Sequence, residues 1–140
     1  MFWGDMLIER AVPKDSLRHA LGKAFGVATA SVTVITSVDE WLTVVGELVL
    51  WVTPKKGDFR LQVGVYPDAR ERSLGDESAA RVVARELCCR VLVSDDSPNP
   101  FTFIVVDASG AATVVSVEPE GLDREDEEFW LVRTEPGGEG

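Results

Sequence analysis

Apolar residues recur at Ala80, Val83, Ala84, Leu87, Cys88 and Val91, the spacing of a helix that lays one stripe on a core. Arg81, Arg85 and Arg90 fall off that stripe, toward water. Asp76 suits the N-cap and Glu77 the positive end of the helix dipole. An earlier helix is predicted where Leu17, Ala20, Leu21, Ala24 and Phe25 share a face. Asp15 or Ser16 is its expected cap, and Gly26 its stop.

Elsewhere the period drops to two or the runs become β-branched. Met6–Val12, Ser31–Ser37 and Trp41–Val52 read as strands, with Gly46 marking a bulge. Phe59, Leu61, Val63 and Val65 alternate with Arg60, Gln62, Gly64 and Tyr66, a strand with one wet face. Phe101–Val106 and Ala112–Val117 flank the turn Asp107-Ala108-Ser109-Gly110. Both strands of that hairpin are apolar at nearly every position, the pattern of central strands covered on two faces. Asp95 to Pro100 is a connector of turn formers. Residues 120–128 fit a helical turn or loop, and Phe129–Val132 a last edge strand.

The order is β-α-β-β-β-α-β-β-β with that optional terminal strand. Strands running on without helices between them predict an α+β fold, a mainly antiparallel sheet of about six to eight strands with two helices packed on it. Residues 1–133 are expected to form a single domain, and 134–140 (TEPGGEG) have the composition of a disordered tail.

Charge narrows the partners. The formal net charge is −10, and 118–140 alone hold nine acidic and two basic residues. A chain this acidic is unsuited to nucleic-acid phosphates or anionic membranes, and suited to a basic protein surface. The N-terminus lacks a basic region followed by a long apolar run, so a cytoplasmic protein is expected. No segment reaches the ~18 apolar residues of a membrane span. Two cysteines make no disulfide framework in such a compartment.

Candidate chemistry is sparse. Cys88-Cys89 invites a metal or redox reading, but His19 is the sole histidine, and Cys88 lies on the apolar stripe as a small hydrophobe. Ser16 and Asp15 stand three and four residues before His19, near one another on a helix. A hydrolase triad also needs an oxyanion hole or nucleophile elbow, and neither is visible. Asp95-Asp96 and the acidic run from Asp123 lack the alternating ligands and central glycine of a calcium loop. No glycine-rich phosphate cradle exists, and no cofactor is expected. Trp41 and Trp51 are core residues or anchors on a binding face.

At Gly57-Asp58-Phe59-Arg60-Leu61-Gln62-Val63-Gly64-Val65-Tyr66-Pro67-Asp68 and Leu92-Val93-Ser94-Asp95-Asp96-Ser97-Pro98-Asn99-Pro100-Phe101, the chain resembles small acidic bacterial immunity-type proteins. The resemblance implies a non-enzymatic domain that neutralises a partner protein, and it carries over no binding residue. From charge and aromaticity, Asp123, Glu125, Asp126, Glu127 and Glu128 are the expected steering residues, and Trp130 the anchor. The helix-strand order is also similar to type III secretion chaperones, which implies a homodimer as the alternative. A small hydrolase using Ser16 and His19 is the third reading.

Overall fold

The computed structural model describes residues 6–37, 39–40, 48–66, 76–94, 98–99, 101–125 and 127–132. Seven strands form one sheet in the order β2-β3-β4-β1-β5-β6-β7. They are β1 (Met6–Ile8), β2 (Val32–Ile35), β3 (Leu48–Pro54), β4 (Leu61–Val65), β5 (Val91–Ser94), β6 (Thr102–Val106) and β7 (Ala112–Ser116). All pairings are antiparallel except β2 with β3. Helices α1 (Lys14–Phe25) and α2 (Asp76–Leu87) are the two substantial ones, and α3 (Pro119–Leu122) is a single turn. This is the expected α+β class and element order. Among the described residues no helix is long and apolar enough to cross a membrane.

Helices α1 and α2 cover one sheet face. Leu17, Leu21, Ala80 and Val83 pack there on Ile8, Leu50, Val63, Val65, Val91 and Val93. The other face has its own smaller core of Leu7, Phe59, Leu92, Val105, Val117 and Phe129. Neither α1 nor α2 packs on that second core, and the short α3 reaches it through Leu122. Phe129, with Leu122 and Leu131 beside it, is brought there by the chain after β7, which acts as a strap. Burying Phe129 contributes roughly 2–3 kcal/mol.

Several local expectations are corrected. The residue before α1 is Pro13, whose side chain makes no cap bond, while Asp15 lies in the first turn and pairs with Arg18. Pro13 holds φ −63° with an extended ψ of 152°, the φ its ring imposes. Helix α2 starts at Asp76 itself and ends at Leu87, so Cys88 and Val91 are not part of its stripe. Cys88 is exposed and Cys89 is the buried cysteine. The reason lies in how α2 closes: Cys88 takes φ 54°, and the Cys89 N–H returns to the Ala84 carbonyl at 3.3 Å. Helix α1 closes in the same way through Gly26, at φ 70°, with Val27 N–H on Gly22 O at 2.8 Å.

Of the hairpin, β6 is central as expected, between β5 and β7, but its partner is placed differently. Among the described residues strand β7 is not central but the outermost strand of the sheet, and Ala112, Thr113 and Val114 are exposed. Phe59 sits before β4 and turns into the second core instead of following the alternation. The predicted strand Trp41–Val52 begins at Leu48; residues 41–47, with Trp41 and Gly46, lie outside the described residues. So do Asp95–Ser97, Pro100 and the tail 134–140.

Candidate partner-binding surface

The strap is pinned from both sides. The Asp58 N–H donates to the Phe129 carbonyl at 2.9 Å, and the Asp58 carboxylate accepts the Leu131 N–H at 2.8 Å. On the other flank Glu118 N–H donates to Trp130 O at 2.7 Å, and Val132 N–H to Ser116 O at 2.9 Å. These bonds place Val117 opposite Leu131. Extended residues alternate, so Phe129 and Leu131 turn inward to the second core. Trp130 and Val132 turn outward and remain 41% and 44% exposed.

Trp130 is held in one orientation. Its Nε1–H donates to Glu128 Oε1 at 2.9 Å. A Cβ on Gly121 would lie 3.2 Å from the indole Cδ1 and 2.4 Å from the Glu128 carbonyl, so only glycine fits beneath the ring. An aromatic side chain already fixed in the free protein loses little entropy on docking.

The expected steering residues divide. Asp123 and Glu125 are exposed, and their carboxylates bond to no described residue. Asp126 lies outside the described residues. Glu127 is exposed at φ 37° and turns toward a groove of about 250 Å³ with Trp51, Thr53, Lys55, Gln62, Gly64 and Tyr66. Glu128 is taken by Arg124 and Trp130 and acts as a positioning residue. Trp51, opposite Gly64 on β4, packs on Tyr66 with ring centres 6.4 Å apart. Nothing in the residue spacing pointed to that groove, because Tyr66 and Glu127 are brought to it from distant parts of the chain.

The hydrolase candidates share a second site. A cavity of about 520 Å³ between the start of α1 and the end of α2 is lined by Asp15, Ser16, His19, Glu86 and Arg10. His19 Nε2 is 3.2 Å from Glu86 Oε1, and Lys23 Nζ is 2.7 Å from Glu86 Oε2. The Lys23 hydrogen bond outweighs burial and holds the Glu86 carboxyl below its ordinary pKa. Arg10 is spent on the end of α2, donating to the Leu87 carbonyl at 2.7 Å. The Ser16 hydroxyl makes no hydrogen bond to His19 or to any other described residue. The structure thus brings Ser16, His19 and an unforeseen carboxylate, Glu86, to one cavity without linking nucleophile to base. Among the described residues no three His, Cys, Asp or Glu side chains cluster as metal ligands.

No protein-family model, no curated protein and no solved structure matches the chain.

Proposed function

We propose that this chain is a non-enzymatic protein-binding domain, an immunity-type inhibitor that docks on a basic partner protein through the outer face of the strap. The observation that supports it is the fixed, outward Trp130 with Val132 beside it, close in sequence to the unpaired carboxylates of Asp123 and Glu125. An apolar anchor on an acidic segment matches a partner that offers an apolar pocket with Lys or Arg around it. The acids raise the rate of encounter, and Trp130 slows release.

The test is capture of partners from the source cell by the tagged chain, at low and high salt, followed by kinetics with the captured protein. Trp130→Ala is expected to speed dissociation about tenfold or more. Asp123→Lys with Glu125→Lys is expected to slow association and reduce its salt dependence. A partner with an acidic surface, or one that binds both variants as tightly as the original, sinks the proposal.

A further inference from the structure

Strand β7 has the composition of a central strand in an edge position. Ala112–Ser116 carries no charge and no proline, the usual guards of an edge, and Val114 is 65% exposed. The register shows which main-chain groups are open. Val117 N–H donates to Phe101 O at 2.8 Å and Asp107 N–H to Ala111 O at 3.0 Å, so residues 111, 113, 115 and 117 face β6. The N–H and C=O of Ala112 and Val114 therefore point away from the sheet, and no described residue bonds to them. Among the described residues this edge is closed at one end only, where the Val132 N–H donates to the Ser116 carbonyl. At the other end it stops at the hairpin turn before Ala111.

We infer that this edge receives the same edge of a second copy of the chain. The two β7 strands run antiparallel about a two-fold axis at Thr113, with Ala112 of each copy opposite Val114 of the other. That register makes about four main-chain hydrogen bonds from the open groups. Among the described residues it ends where each hairpin turn meets the other copy's Val132. Charge selects the direction. Arg85 reaches the hairpin end, its Nη2 3.9 Å from where a Cβ on Gly110 would stand. Glu118 continues the row of Ala112, Val114 and Ser116 at the far end. Among the described residues neither the Arg85 guanidinium nor the Glu118 carboxylate has a partner. The two-fold lays Arg85 of each copy by Glu118 of the other, twice, as a self-complementary patch requires. Parallel pairing sets like charge against like. The net −10 of each copy opposes approach, but this is screened beyond about 8 Å at physiological salt. The inference does not depend on the partner proposed for the strap.

Sedimentation equilibrium of the full chain at about 0.15 M salt, in a concentration series reaching about 1 mM, tests it. A reversible dimer is expected. The Val114 N–H points outward, so Val114→Pro leaves the β6 ladder intact and weakens the dimer about tenfold or more. Arg85→Glu and Glu118→Arg, each alone, weaken it, and an equimolar mixture of the two restores association as a heterodimer. A strict monomer throughout the series overturns the inference. So does a dimer whose dissociation constant ignores the charge reversals, a readout that stands if Val114→Pro fails to fold by circular dichroism.

Discussion

A Cβ on Gly57 would stand 2.6 Å from the carbonyl oxygen of Phe129, closer than any real Cβ contact. Gly57 also holds φ 118°, where a side chain is strained whatever the space. The close approach lets the Asp58 N–H and carboxylate both grip the strap. Gly57→Ala is therefore expected to destabilise the fold by about 2–4 kcal/mol, from backbone strain and a displaced strap together. Urea unfolding checks this. A midpoint within error of the original chain shows that the strap is not fastened at Gly57.

Cys88 and Cys89 exchange the roles their spacing implies. Cys88 holds φ 54° in the position where α1 uses Gly26. Cys88→Gly relieves that conformation and is expected to stabilise by roughly 1 kcal/mol, read as a rise in melting temperature. In the native chain a thiol reagent should modify Cys88 fast and Cys89 only on unfolding, because Cys89 is 6% exposed. Equal rates at the two thiols contradict this closure of α2.

What the sequence shows about the fold is what local spacing controls. Leu17 to Phe25 and Ala80 to Leu87 are each amphipathic over more than two turns, and that stripe places them on the sheet whatever else the chain does. Gly26 and Gly110 hold the positive φ their turns require. The order of strands depends instead on contacts between distant residues. Nothing near Ala112 tells whether a further strand lies beyond it, so an apolar strand reads as central though it is the edge. Phe59 follows the alternation of β4 in sequence yet lies in the opposite core, because the chain turns between it and Leu61. In the site, acidity alone marked Glu128 and Asp123 alike. Only the structure separates the carboxylate that orients Trp130 from the one left open to solvent.

Acid should unfold this protein partly through Glu9 and Glu86. Burial raises the Glu9 carboxyl, but the Arg90 backbone and side-chain bonds, at 2.8 and 3.1 Å, outweigh it and leave its pKa below the ordinary 4.5. Glu86 is lowered first by Lys23. Both folded values lie below the unfolded ones, so the stabilisation is complete above about pH 5 and is lost as pH falls through the folded values. Urea midpoints measured from about pH 7 to pH 3 should fall less in Glu9→Gln with Glu86→Gln than in the original chain. An equally steep fall in the double variant removes these two groups as the cause.

Neighbouring residues on the strap should respond to truncation by different amounts. Phe129 is 6% exposed and meets Phe103 edge-on with ring centres 5.9 Å apart, among Leu7, Leu92 and Val105. Phe129→Ala empties the middle of the second core and is expected to cost about 3–4 kcal/mol. Trp130 faces solvent, and its losses are one exposed hydrogen bond to Glu128 and contact with Gly121. Trp130→Ala is expected to cost about 1–2 kcal/mol, from the covered part of the indole and the exposed hydrogen bond together. Urea unfolding of the two variants separates them without any knowledge of the partner. A large loss in Trp130→Ala means that the indole serves the fold, and the surface proposed for docking then loses its anchor.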